Sequence, residues 1–154
     1  EGSLSLAAAK MKRDVTAYDE RAVSELFLVE AMSPKPLAEL IINIRQDPQF
    51  GAALVLGSGG ILVELLADST TLLLPTRPVE IIHALKSLRV GRLLEGFRGQ
   101  PAADIAKLAA EIYKLSISYQ ENIKSIAEIE INPLFVYRAE VSAIDVLIQV
   151  PNEK

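Results

Sequence analysis

The sequence predicts an α+β fold: a mostly antiparallel sheet with helices packed on one face. Three observations predict it. Short apolar runs follow one another between residues 25 and 74 with only tight loops between them, which favours antiparallel pairing. Two helical stretches come next, and a strand pair closes the chain. Strands segregated from helices along a chain argue an α+β layer rather than alternating βαβ units.

Taken in order, residues 6–18 carry Ala and Lys at weak helical spacing and predict a helix. Residues 25–31 predict a buried strand, ended by Pro34 and Pro36. Residues 37–45 predict a second strand; the Asp47-Pro48 and Gly51 after it signal a hairpin loop. Residues 52–56 predict a third. The Gly57-Ser58-Gly59-Gly60 loop breaks it from residues 61–66, Asp68-Ser69 is a turn, and residues 70–74 predict another short strand. Pro78 sits in the first turn of a helix over 79–88. Pro101 and Asp104 open the strongest helix, to about Tyr119, with Ile105, Leu108, Ala109, Ile112 and Leu115 at the 3.6-residue period. Residues 126–131 predict a strand that 135–137 continue past Asn132-Pro133. After a turn at 138–140, residues 141–150 predict a single long strand.

Bulk composition narrows the function classes. Half of the 154 residues are hydrophobic and 23% are charged, which supports a packed core. Only 5% are aromatic and Trp is absent, so that core is aliphatic. Lys and Arg number 16 against 20 Asp and Glu, a net charge of -4. No dense basic block offers a footprint for nucleic acid, and no basic amphipathic stretch suits a membrane surface. The absence of cysteine removes disulfides, thiolate zinc sites and cysteine nucleophiles, and fits a cytoplasmic protein. The most apolar region, 52–67, is interrupted by glycines and Glu64 and is too broken to cross a membrane. The Glu1-Gly2-Ser3 start shows no secretory leader pattern.

Chemistry concentrates in Glu128-Ile129-Glu130-Ile131-Asn132-Pro133. Strand side chains alternate faces, so Glu128, Glu130 and Asn132 share one face. Such oxygens are ligands for a hard cation, and magnesium takes one or two of them and completes its shell with phosphate and water. Asp145 lies among apolar residues in a predicted strand, where Asp is depleted and needs a partner or a metal. An even hairpin loop sets Asp145 opposite Asn132; a three-residue loop slips it by one, and a bulge near Pro133 restores it. The plain alternative is a solvated carboxylate row. It is preferred for Glu128, whereas Asn132 with Asp145 favours function, because Asn-Pro and a mid-strand Asp are otherwise poor strand choices. Gly57-Ser58-Gly59-Gly60 serves equally as an anion-binding nest or as a tight turn, and it lacks the Lys-Ser/Thr of a Walker loop. His83 stands alone in a helix and builds no zinc site. Arg45, Arg92 and Arg98 are candidate phosphate partners, with surface arginines as the default.

Four segments together resemble the ATP-grasp part of ADP-forming acyl-CoA (acetyl-CoA) synthetases, related to the succinyl-CoA synthetase β subunit. They are residues 45–51 (RQDPQFG), 57–64 (GSGGILVE), 93–101 (LLEGFRGQP) and 128–134 (EIEINPL). The resemblance implies the C-terminal lobe of that domain over residues 25–154, with 1–24 a remnant of the preceding lobe and its connecting helix, and binding of Mg2+ and ATP or ADP. It implies Asn132 and Asp145 as magnesium ligands with Glu130 beside them. It places Glu30, Ala31, Met32, Ser33 and Glu39 against base and ribose, and Gly57, Ser58, Gly59 and Gly60 at the glycine turn. Related succinyl enzymes have an acidic residue where this chain has Ser58. The implied partners are an N-terminal ATP-grasp lobe and a CoA-binding ligase part carrying a phosphohistidine, within an oligomeric enzyme, the lone lobe being inactive. Two other roles stand beside this one: a synthetase-like regulatory module of a protein lysine acetyltransferase, and a non-catalytic subunit-interaction domain.

Overall fold

The computed structural model describes residues 2–22, 26–60 and 67–151. The chain divides into two compact units, Glu1–Pro34 and Lys35–Lys154. In the first, helix α1 spans Gly2–Tyr18, one turn longer at its start than the apolar spacing predicts, and none of its described residues is buried. Asp19 closes it, accepting hydrogen bonds from the Arg21 amide and guanidinium.

The strand predicted over 25–31 is not formed. Glu25 lies outside the described residues. Residues 26–31 have no regular structure, and Leu26, Leu28 and Val29 are 86, 84 and 63% exposed. An apolar run signals burial but names no partner, and every described ladder lies between Ala38 and Gln149.

The second unit holds an antiparallel sheet and helices. In chain order it contains β1 (Ala38–Asp47), β2 (Gly51–Ser58), β3 (Ser69–Leu73), α2 (Pro78–Ser87), α3 (Gly91–Leu94), α4 (Ile105–Glu121), β4 (Glu128–Val136), β5 (Val141–Ala143) and β6 (Val146–Gln149). The spatial order is β3-β2-β1-β4, with β5 and β6 end to end along the far edge of β4. Residues 61–66 fall outside the described residues. The β1–β2 hairpin turns through three residues. Asp47 Oδ1 accepts from the amides of Gln49 and Phe50, and Gly51 takes the positive φ that such a loop demands.

One sheet face is aliphatic. Ala38, Leu40, Ile42 and Ile44 of β1, Leu54 and Leu56 of β2, and Ile129 and Ile131 of β4 join one core with Ile81, Leu85, Leu108 and Ile112 of the helices. Both long helices therefore cover the same face. The spacing that predicts α4 holds: Leu108, Ala109 and Ile112 are buried, and Ile105 and Leu115 are partly so. Asp104 caps α4 by accepting the Lys107 amide, and Lys107 Nζ donates to the Ala139 carbonyl in the β4–β5 loop. At the other end the buried Tyr119 hydroxyl donates to the Ala127 carbonyl at 2.9 Å. Helix and strand are thus tied at both ends.

The terminal hairpin departs from expectation. Residues 141–150 form two short strands rather than one, interrupted at Ile144–Asp145. The interruption faces Asn132–Pro133. Proline has no amide hydrogen to donate, so the regular ladder stops opposite it.

Two outcomes test this account. Tyr119→Phe leaves the Ala127 carbonyl without its partner and is expected to cost about 1–3 kcal/mol in urea unfolding. Glu80 at the start of α2 is held at about 2, from an ordinary 4.5, first by the Arg77 guanidinium, then by the Arg77 amide and the Thr76 hydroxyl. A depressed carboxylate stabilises the fold above its unfolded value and loses that contribution as pH falls through its folded value. The advantage of the parent chain over Glu80→Gln in melting temperature should therefore be full above pH 4.5 and vanish near pH 2.

Candidate functional site

The face of the sheet away from the helices carries the polar residues. Along β1 these are Glu39, Asn43 and Arg45, alternating with the buried Leu40, Ile42 and Ile44. Along β4 they are Glu128 and Glu130, alternating with Ile129 and Ile131. Register pairs Arg45 with Glu128 and Asn43 with Glu130.

Past Ile131 the pattern changes phase. Ile42 pairs with Ile131 and Leu40 with Leu134, so Asn132 and Pro133 together oppose the single residue Ile41. This is a β-bulge. Ile131 lies on the core face, so strand alternation sets Asn132 on the side of Glu130. On the other edge of β4, Ile131 pairs with Val146 and Leu134 with Ala143. Asn132 is therefore set opposite Asp145, and its amide donates to the Asp145 carbonyl at 3.1 Å. The hairpin loop between Val136 and Val141 has four residues, the even case.

One cross-strand row links these parts. It runs from Ser69 to Gly57, Ile41, the Asn132–Pro133 bulge, and the Ile144–Asp145 break. Three strand spacings separate Gly57 from Asp145, about 14 Å. The glycine turn at the end of β2 and the Asn132–Asp145 pair thus flank one stretch of sheet.

The glycine turn is tightly seated. Gly59 donates to the Glu39 carbonyl at 2.7 Å, and a Cβ there would lie 2.7 Å from the Leu40 backbone. Gly60 has φ +79 and lies against the Glu39 carboxylate, so the structure brings Glu39 to the turn. Asp68, read from sequence as a turn residue only, clips the turn in place. It accepts from the Ser58 hydroxyl at 2.5 Å and from the Arg89 and Val90 amides at 2.8 and 3.1 Å. Burial pushes its carboxyl up, but the hydroxyl and the two amides outweigh burial and hold it below the ordinary carboxylate range.

Glu30, Ala31, Met32 and Ser33 lie in the first unit, exposed and without regular structure. Arg45, Arg92, Arg98 and His83 are exposed. Among the described residues no three Asp, Glu, His or Cys side chains form a metal-holding group. Sequence reasoning passed over Asn43, which donates from Nδ2 to Glu128 Oε1 at 2.5 Å and to Glu130 Oε2 at 3.3 Å. The sequence carries the signal: an Asn between two Ile in a strand is as anomalous as Asp145.

The ATP-grasp domain pattern matches residues 1–150. The chain belongs to the ATP-grasp family. It is 36% identical over 110 residues to the acetate–CoA ligase [ADP-forming] II subunit beta of Pyrococcus furiosus, covering 71% of this chain and 47% of that relative. It is 31% identical over 123 residues to the mitochondrial succinate–CoA ligase [GDP-forming] subunit beta of Dictyostelium discoideum, covering 77% and 27%. The chain thus spans about half the length of the first of these relatives. Among solved structures, a Pyrococcus horikoshii protein superposes with a TM-score of 0.81 at 28% identity, over 94% of this chain and 61% of that one. Acetyl-coenzyme A synthetase 1 of Ca. Korarchaeum cryptofilum, in complex with coenzyme A and Mg-AMPPCP, superposes with a TM-score of 0.71 at 31% identity, over 78% and 55%. This ATP-grasp chain has the α+β architecture of those neighbours. No described helix is long and apolar enough to cross a membrane.

The seat of the glycine turn gives a direct check. Gly59→Ala forces a methyl group onto the Leu40 backbone and is expected to destabilise the fold by about 1–3 kcal/mol, read by urea unfolding.

Proposed function

We propose that this chain is the magnesium- and nucleotide-holding portion of an ADP-forming acyl-CoA synthetase. The reaction joins an acid to CoA at the expense of ATP, giving acyl-CoA, ADP and phosphate. The observation that carries the reading is Asn132 opposite Asp145 at a bulge, on the sheet face away from the second unit's own helices, with Glu130 two residues before Asn132 on β4. The donor set fits magnesium: two carboxylates and an amide oxygen are hard ligands, few enough to leave positions for phosphate oxygens and water. Bound Mg2+ supplies charge neutralisation at the transferring phosphoryl group.

The remaining roles belong to the chain. Asn132, Asp145 and Glu130 hold the ion. Gly57, Ser58, Gly59 and Gly60 offer backbone amides to phosphate. Glu30, Ala31, Met32, Ser33 and Glu39 meet base and ribose. A nucleotide in an ATP-grasp fold is clamped between two lobes, so an N-terminal lobe and a CoA-binding part with a phosphohistidine complete the enzyme. The similarity to acetate–CoA ligase β subunits supports this division of labour. Such an enzyme works in the cytoplasm.

Isothermal titration tests the reading. Mg-ATP should bind the chain alone at millimolar Kd or weaker. It should bind tightly once the first lobe of the Pyrococcus furiosus β subunit is supplied. In the completed protein, Asn132→Ala or Asp145→Ala should weaken Mg-ATP by at least about tenfold, or 1.4 kcal/mol. Unchanged affinity in both variants refutes the metal assignment, and tight Mg-dependent binding by the chain alone refutes the need for a second lobe.

A further inference from the structure

Asn43 sits mid-strand in β1 on the polar face, yet it is only 8% exposed. Its register partners are Val55 on β2 and Glu130 on β4. Its Nδ2 serves two acceptors, Glu128 Oε1 at 2.5 Å and Glu130 Oε2 at 3.3 Å. Its Oδ1 is buried and has no hydrogen-bond partner. A buried acceptor without a donor is costly, and each such atom in a folded protein calls for an explanation.

The carboxylates provide it. Ionised Glu128 and Glu130 are acceptors only. Turning the amide over would set Oδ1 against both of them, acceptor against acceptor. The two glutamates therefore dictate the orientation of the amide, and the orphaned oxygen is the consequence. An apolar side chain at position 43 would avoid the orphan altogether, as Val55 does beside it. Two glutamates two residues apart on an open strand face would otherwise swing separately into solvent. The amide draws both toward β1 instead.

We propose that Asn43 is a positioning residue that holds the Glu130 carboxylate in one orientation beside Asn132 and Asp145, with Glu128 as the second arm of the clasp. This rests on the magnesium reading above and adds to it: Asn43 touches neither metal nor nucleotide. A ligand fixed before the ion arrives loses less freedom on binding. Glu128, read from sequence as a solvated bystander, becomes half of the holding device. Groups that orient metal ligands in this way typically shift metal affinity by about 10–100-fold.

The test uses the full chain completed by the first lobe, with ATP present, and Mn2+ as the probe. Side-chain couplings of Glu130 and paramagnetic broadening of the Asn132 and Asp145 signals are read by NMR in the parent, Asn43→Ala and Asn43→Val; Val restores strand preference in case Ala loosens β1. The parent should show one Glu130 rotamer, and both variants an averaged one. Both variants should need about tenfold or more Mn2+ for equal broadening. Melting temperature is read beside these: the orphaned oxygen leaves with the amide, while Glu128 and Glu130 lose a donor. A single Glu130 rotamer and unchanged broadening in both variants overturn the inference while leaving the metal reading intact. If Mn2+ broadens neither Asn132 nor Asp145 in the parent, the metal reading falls and this inference falls with it. A lowered melting temperature with unchanged Mn2+ response identifies Asn43 as merely structural, which also overturns it.

Discussion

Proline 133 has no amide hydrogen, and it stands in β4, a strand paired on both sides. A proline in that position would ordinarily leave the ladder with a missing bond and the strand with a clash. The chain resolves this by bulging. Asn132 and Pro133 share one partner, and every side chain after them changes face. The consequence reaches the core. With the bulge, Leu134 and Val136 join Ile129 and Ile131 beneath the helices. Without it, Phe135 and Tyr137 would point there instead. Two rings in an aliphatic core would overpack it, at a cost of about 1–3 kcal/mol. Leu134 and Val136 would meanwhile be exposed and forfeit about 1.5–3 kcal/mol each. The bulge is the arrangement that packing prefers, and it also places Asn132 and Asp145.

The same constraint explains the edge strand. Opposite the bulge the ladder is kept up by two bonds, from the Asn132 amide to the Asp145 carbonyl and from the Ile144 amide to the Pro133 carbonyl. The main chain of Asp145 is thereby fixed although its side chain is exposed. A carboxylate at a break in a strand is tolerated where one inside a continuous apolar strand would not be. The anomaly in the sequence and the gap in the ladder are one feature seen twice.

Periodicity made part of this legible. α2 and α4 carry apolar residues at helical spacing, and their bounds follow the sequence closely. β1 and β2 are legible through Asp47, Pro48 and Gly51, whose turn chemistry is local. The run at 26–31 misled because hydrophobicity says that a segment wants cover without saying what covers it. α3 has only four residues and repeats no period. Asp68 was read as a turn residue because its work is long-range: two of its three bonds are to amides more than twenty residues away. Asn43 was hidden for the same reason, since its partners lie 85 and 87 residues along the chain.

The polar face also differs from what water alone would select. Ile41, Val55 and Leu147 lie among Glu39, Asn43, Arg45, Glu128 and Glu130, with Gly57 where a side chain would strike the Asp68 carbonyl. A face that only met a partner protein would carry fewer charges at its centre. The face is mixed, with apolar and charged side chains on neighbouring strands. Its polar groups stand on adjacent strands rather than on loops, so ladder spacing sets the distances between them. Groups placed this way are held to tighter tolerance than loops allow.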